Sequence, residues 1–215
     1  MSRICLPLFE EAKKYGDYRL YIIFNSTTYT QNTEEGESRI LMKWKWKQHK
    51  KEVADKLNIS PRQLNKLFKK MLDNKLIIED NEKYTIPLKR INKDFKQQYT
   101  LIDRDVGKYL LNAYNVNSRV ILTYAILSNI ESIESYKQQF KKNKNDYYLL
   151  NLKTLATLVG TNPNNASRDY IGEEDNYESG GCLTLLKLHE LIELYKGEQI
   201  VKNITINQWA FKFRN

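Results

Sequence analysis

Residues 54–77 read Ala54-Asp-Lys-Leu-Asn-Ile-Ser-Pro-Arg-Gln-Leu-Asn-Lys-Leu-Phe-Lys-Lys-Met-Leu-Asp-Asn-Lys-Leu-Ile77. Ser60 is a natural N-cap and Pro61 a natural first helical residue. From Pro61 the apolar residues Leu64, Leu67, Phe68, Met71 and Leu72 recur at helical spacing and form one stripe. Upstream, Lys50-Lys-Glu-Val-Ala-Asp-Lys-Leu-Asn58 reads as a shorter helix with Val53, Ala54 and Leu57 inward. The small side chain of Ala54 lets two helices approach, and the capped turn at Ser60 starts the second.

Working outward, Ile77 and Ile78 begin a strand, Asp80-Asn81-Glu82 turn it, and Lys83-Tyr84-Thr85-Ile86 return until Pro87 ends the run. On the N-terminal side, residues 40–47 alternate. A strand there puts Lys43, Lys45 and Lys47 on one face and Met42, Trp44 and Trp46 on the other, packed in the core. An earlier helix fits within Leu8–Phe24. The order is helix, strand, helix, tight turn, longer helix, hairpin, which is the order of a winged helix-turn-helix.

The second half offers a diverged copy. Residues 54–58 align with 156–160 at an offset of 102, and residues 71–77 with 186–192 at an offset of 115. The difference is absorbed by a polar, acidic, glycine-ended insert, Gly172-Glu-Glu-Asp-Asn-Tyr-Glu-Ser-Gly-Gly181, expected to be a mobile loop. A long amphipathic helix is expected over 117–137, a short strand at 147–150, a helix from Leu152 to a C-terminal glycine at Gly160, and an apolar helix over Leu183–Leu194. Strands are expected over Ile200–Ile206 and Trp209–Phe213. The expected fold is mainly α with small β-hairpins (α+β), as two tandem winged helix-turn-helix domains. These occupy residues 1–90 and 106–215, joined by a connector over 91–105.

Charge is concentrated in the first of these halves. The 215-residue chain has a net charge of +9, and residues 41–70 hold 10 basic and 2 acidic groups, a local net of +8. Such a stretch suggests a polyanionic partner. The hydrophobic content of 41%, with 12% aromatic, suits a packed core rather than a disordered chain. No apolar run reaches the roughly 18 residues a membrane helix needs. The N-terminal Met1-Ser-Arg-Ile-Cys-Leu-Pro-Leu-Phe-Glu10 is not a signal peptide, so a cytoplasmic location is expected. Two well-separated cysteines, Cys5 and Cys182, are expected to be reduced. Lys outnumbers Arg by 26 to 9, a bias that suits an AT-rich bacterial genome or mobile element.

No catalytic constellation is visible. The chain has only two histidines, His49 and His189, with no phosphate-binding GxxxxGK[ST] loop, dinucleotide fingerprint, zinc spacing or ordered triad. The expectation is therefore a non-enzyme without metal or cofactor. The insert acids Glu173, Glu174, Asp175 and Glu178 lack flanking cage residues.

Double-stranded DNA is the expected partner. At the start of the second motif helix Arg62, Gln63, Asn65 and Lys66 point away from the apolar stripe. Arg can bridge guanine O6 and N7, and Gln or Asn can bridge adenine N6 and N7. Lys69 and Lys70 suit phosphates, as do Lys43, Lys45, Lys47, Lys50 and Lys51 before them. Trp44 and Trp46 suit base stacking as well, but packing in the core beneath the hairpin is the favoured reading. Lys83 on the hairpin and Lys89, Arg90 and Lys93 beyond it extend the set. In the second half the matching readers are Asn164, Asn165, Ser167 and Arg168. Either that half reads DNA with the acidic loop held aside, or it serves homodimerisation through the Leu183–Leu194 helix.

Two consecutive motifs of this kind, without nuclease or ATPase signatures, resemble the tandem winged-helix plasmid replication initiators. The likeness rests on residues 54–77, on Ser118-Arg-Val-Ile-Leu-Thr-Tyr-Ala-Ile-Leu127, and on the order of elements across most of 38–213. It implies a sequence-specific DNA-binding protein that acts on origin repeats in plasmid or phage replication and shifts between dimer and monomer. The acidic insert departs from the pattern. A winged-helix transcriptional regulator, or a non-catalytic protein–protein adaptor of the replisome, fits the same residues.

Overall fold

A computed structural model describes residues 3–33, 36–88, 99–130, 137–143, 146–201 and 204–214. Helices make up 48% and strands 25% of it, so the fold is mixed α and β with more sheet than short hairpins alone supply. The chain divides into two compact units, Met1–Ala113 and Tyr114–Asn215.

The first unit opens with β1 (Arg3–Pro7), α1 (Glu10–Tyr15), α2 (Tyr18–Thr27), β2 (Tyr29–Thr33) and β3 (Gly36–Met42). Then come α3 (Lys43–Lys56), α4 (Pro61–Asp73), β4 (Ile78–Glu79), β5 (Lys83–Pro87), β6 (Tyr99–Asp103) and α5 (Arg104–Asn112). One antiparallel sheet has the order β2-β3-β5-β4; a second pairs β1 with β6. Asn25 on α2 ties the edge of β1 down, its amide accepting from the Cys5 N–H at 3.0 Å and donating to the Cys5 carbonyl at 2.8 Å. These bonds satisfy a buried amide and a backbone pair together.

Two expectations change here. Residues 99–105 are not connector: β6 pairs with β1 in register from Arg3–Asp103 to Pro7–Tyr99, and α5 follows within the same unit. The remainder of the expected connector lies outside the described residues. The expected strand over 40–47 also ends early, because Lys43 begins α3. Met42 pairs with Lys83, the Lys43 N–H then donates to the Glu82 carbonyl, and the chain turns into a helix. A helix buries Trp46, Val53, Ala54 and Leu57 on one face and leaves Trp44 62% exposed. A strand would have had to bury both tryptophans.

The turn between α3 and α4 forms as the sequence requires. Asn58 takes a left-handed conformation (φ 51°), which asparagine tolerates. The Ile59 N–H closes on the Ala54 carbonyl at 3.1 Å. Ser60 and Gln63 make a reciprocal capping box, with the Gln63 N–H donating to Ser60 Oγ at 3.2 Å and the Ser60 N–H to Gln63 Oε1 at 2.8 Å. An aromatic cluster then seats α4. Phe68 stacks on Trp46 of α3 at 4.4 Å and meets Tyr84 of β5 and Phe24 of α2 edge-on at 5.0 and 6.5 Å.

The second unit holds α6 (Ser118–Leu127), β7 (Tyr148–Leu150), α7 (Leu152–Val159), a 3-10 turn at Pro163–Asn165, α8 (Ala166–Tyr170), α9 (Cys182–Leu188), β8 (Ile192–Val201) and β9 (Ile204–Phe213). Its sheet has the order β7-β9-β8, which matches β3-β5-β4 in the first unit. The sequence offsets reappear as hydrogen bonds. Thr161 N–H donates to Ala156 O as Ile59 does to Ala54, and Gly160 (φ 78°) stands where Asn58 does. At the other offset, Leu191 N–H donates to Leu186 O as Leu76 does to Met71, and Glu190 (φ 59°) matches Lys75 (φ 56°).

Three expectations about this unit are corrected. The helix expected over 117–137 stops at Leu127, where the Ser128 and Asn129 side chains bond to the Ala125 carbonyl. It is also buried almost all round, as a central helix must be, rather than amphipathic. Residues 131–136 lie outside the described residues. The Leu183–Leu194 run is no continuous helix: it ends at Leu188 and resumes as β8, with Leu183, Leu185 and Leu186 buried in the unit's own core. That burial removes it as a dimerisation face. Finally, the acidic insert, expected as an open loop, closes on itself through backbone bonds. Gly172 bridges Gly180, Glu173 N–H donates to Ser179 O at 3.1 Å, and Gly181 N–H donates to Ile171 O at 2.7 Å. A Cβ at Gly172 would lie 2.3 Å from the Ser179 carbonyl.

Phe68→Ala is expected to cost about 3–5 kcal/mol by emptying the aromatic cluster, and Ser60→Ala about 1 kcal/mol through the lost cap. Urea unfolding measures both, and equal small losses would contradict a cluster that organises the unit. Burial in the second unit pushes the Cys182 thiol up to about 11. The reactive thiolate is therefore scarce at pH 8, so iodoacetamide should label Cys182 only after urea unfolds the unit.

Candidate nucleic-acid interface

The basic stretch is sorted by helical phase into surfaces with different partners. On α4 the buried stripe is Leu64, Phe68 and Met71. Arg62, Asn65, Lys66 and Lys69 fall on the opposite face, and all four are exposed. Among the described residues none of these four side chains makes a hydrogen bond or ion pair. Ordinary globular surfaces leave many lysines free; here one face concentrates three cations and one amide on a rigid, capped helix.

Gln63 and Lys70 do not share that face. Gln63 spends its carbonyl oxygen in the capping box, so it lacks the free donor–acceptor pair that bidentate adenine contact requires. Lys70 lies over the Tyr15 ring of α1 at 5.6 Å.

Helix α3 splits its lysines three ways. Lys43 turns to the hairpin, pairing with Glu79 at 2.6 Å and lying over the Tyr84 ring at 5.5 Å. Lys45 falls on the flank with His49, Glu52 and Lys56, beside a cavity of about 240 Å³ against α2. There it donates to the Thr27 carbonyl at 3.3 Å. His49 and Lys56 both contact Glu52 (3.1 and 3.2 Å), and the His49 hydrogen bond foremost holds the Glu52 carboxyl below its usual range. Lys47 and Lys51 lie on the remaining flank with Trp44, exposed, and Lys50 is half-buried beside them. The expected row of Lys43, Lys45 and Lys47 on one face is thus replaced, since residues two apart on a helix diverge by about 200°.

The hairpin is poorer in cations than expected. Lys83 is half-buried, whereas Glu79, Asp80, Asn81 and Glu82 are exposed. A tip of that sign repels phosphates. Lys89, Arg90 and Lys93 lie outside the described residues.

In the second unit the helix corresponding to α4 is interrupted. The 3-10 turn and α8 cover only Pro163–Tyr170 before the insert, and α9 resumes at Cys182. Asn164, Ser167 and Arg168 are exposed and Asn165 is half-buried. Arg168 leans on Asp169 at 3.3 Å, which also meets Arg119 at 3.3 Å. The insert acids are engaged locally. Asp175 pairs with Lys187 at 2.7 Å, Glu173 accepts from Asn176 at 2.9 Å, and Glu178 accepts from the Tyr114 hydroxyl. Among the described residues no group of three or more His, Cys, Asp or Glu is placed to hold a metal ion.

Trp44, expected in the core beside Trp46, instead stands exposed. Its signal was present as helical phase: positions 44, 47 and 51 coincide, while 46, 53 and 57 form the core face. No protein-family model matches the chain, and neither a curated protein nor a solved structure matches it. Among the described residues no helix is long and apolar enough to cross a membrane.

If Lys43 serves the hairpin, Lys43→Ala should lower stability by no more than about 1 kcal/mol, the usual worth of a partly exposed pair. Affinity for any duplex should change little, and a loss equal to that of Lys47→Ala would place Lys43 at the interface instead.

Proposed function

We propose that the first unit is a winged helix-turn-helix that binds double-stranded DNA, with α4 in the major groove and the β4–β5 hairpin as its wing. The observation that supports this most is the outward face of α4, where Arg62, Asn65, Lys66 and Lys69 stand exposed and unpaired among the described residues, opposite a buried stripe. A major groove about 12 Å wide admits a helix, and residues near its N-terminus meet base edges. Arg62 and Asn65 are the base readers in this proposal, Lys66 and Lys69 contact the flanking backbone, and Lys47 and Lys51 grip phosphate from α3.

The matched caps and sheet order support reading the second unit as a diverged winged helix. With its reading helix broken by the insert and Arg168 paired to Asp169, it contributes register more than affinity. The chain as a whole is proposed to be a non-enzymatic, sequence-specific DNA-binding protein acting in plasmid or phage replication initiation. A winged-helix transcriptional regulator would use the same contacts at a promoter. The acidic hairpin tip of Glu79, Asp80 and Glu82 favours a second reading, a replisome adaptor whose wing meets a basic protein.

Selection of bound duplexes from random sequence, at two salt concentrations, tests the proposal. One consensus site should emerge, with affinity falling by roughly 0.9 log unit per log unit of salt for each phosphate neutralised. Arg62→Ala should relax one base pair at about 1–3 kcal/mol, while Lys47→Ala weakens all sequences alike. Absence of duplex binding at low salt would overturn the DNA reading and leave the adaptor.

A further inference from the structure

Trp44 has no part in the duplex-reading face of α4 and none in the core. It is 62% exposed on the first turn of α3. Its neighbour Trp46 is 7% exposed within the aromatic cluster, so the exposure is not a property of the segment. A large ring left in water forgoes the burial that would stabilise it, by about 25 cal/mol for each Å² of apolar surface. Single exposed leucines are ordinary, but an exposed tryptophan bracketed by cations is a specific chemical arrangement.

The brackets are Lys47 and Lys51, one and two turns on, which fall on the same stripe of α3 as Trp44. Neither lysine has a side-chain partner among the described residues. Asp55 is the next charged group along that stripe, at the far end of the helix. A second exposed ring lies at the same end of α3. Tyr29 of β2 is 55% exposed, and its hydroxyl lies 3.6 Å from Sδ of Met42, the residue that caps α3.

A ring open to solvent beside unpaired lysines on one helix stripe is a surface of the kind that holds single-stranded nucleic acid. Bases stack on the ring whatever their identity, and the lysines follow the backbone. In a duplex the base faces are already covered by their neighbours, so a solvent-facing indole gains little from intact B-form DNA. We infer that Trp44, with Lys47 and Lys51, forms a stacking site for an unpaired stretch of nucleic acid, distinct from the duplex-reading face of α4. The ligand class is single-stranded DNA with no base preference. Lys47 and Lys51 are shared with the duplex reading, so the same α3 cations follow the backbone where a duplex passes into an unpaired strand.

The test uses the full chain with a fluorescein-labelled 20-nucleotide oligo(dT) and a 20-base-pair duplex of the selected sequence, at low salt. The unmodified protein should bind oligo(dT) and show quenching of tryptophan emission. Trp44→Ala should weaken oligo(dT) about tenfold, within the range for one base–ring stack, and change duplex affinity less than threefold. Trp44→Phe should restore most oligo(dT) affinity while losing the quench. Because Trp44 is exposed, both variants should keep the unmodified circular dichroism spectrum. Unchanged oligo(dT) affinity in Trp44→Ala, equal loss on both ligands, or no binding of oligo(dT) by the unmodified protein would each overturn the inference. Failure of the duplex selection alone would remove the α4 reading and leave the stacking site standing, because oligo(dT) is measured separately.

Discussion

The stack of Phe68 on Trp46 is the contact on which the first unit is organised. Four separate elements meet there: Phe24 from α2, Trp46 from α3, Phe68 from α4 and Tyr84 from β5. Each aromatic pair adds about 0.5–1.5 kcal/mol beyond the area it buries. The larger consequence is geometric. With Phe68 held from three sides, the rotation of α4 about its axis is fixed, and so is the direction in which Arg62, Asn65, Lys66 and Lys69 project. The capping box at Ser60 fixes where that helix starts, and Ala54 fixes how close it comes to α3. A surface that reads another molecule needs this precision, because side chains misplaced by an ångström lose paired contacts.

The same helical geometry decides what the basic stretch can do. Ten cations within residues 41–70 look like one patch when counted along the chain. In three dimensions Lys43 belongs to the hairpin, Lys45 to the flank shared with Glu52, and Lys70 to Tyr15. What remains outward is smaller and better defined: the face of α4 and the Trp44–Lys47–Lys51 stripe of α3. The negative hairpin tip narrows it further, since it opposes an anion approaching from that side.

The two units share backbone hydrogen bonds at matching positions although their side chains differ. The left-handed residue at 58 and 160, the closing bonds to Ala54 and Ala156, and the second left-handed residue at 75 and 190 are all retained. These are backbone geometries, met here by Asn58, Gly160, Lys75 and Glu190, and they do not depend on the exposed charges. The insert enters where the second unit's helix would otherwise run on after Tyr170, and the Gly172–Gly180 bridge returns the chain to start α9. The helix corresponding to α4 is thereby cut short. That is a structural basis for asymmetry between the units beyond their difference in charge.

Local signals were strong wherever a short-range rule governed. Ser60-Pro61, Gly160 and the stripe of Leu64, Phe68 and Met71 specify caps and faces within one turn of helix, and so they are written in the sequence alone. The Lys-Trp-Lys-Trp-Lys run was not decidable that way, because period two over five residues also fits one turn and a half of helix. In the structure β3 ends where Met42 pairs with Lys83, and in the helix that follows Trp46 packs on Phe68 while Trp44 stays exposed. Nor could spacing show that β6 returns to pair with β1, since strand pairing across about 95 residues depends on the partner and not on local pattern. The sequence by itself determined the capped turns, the buried stripes and the location of the positive charge. The tertiary structure decided which of those charges remain unpaired and that one tryptophan stays in water, because burial and ion pairing are set by neighbours distant in the chain.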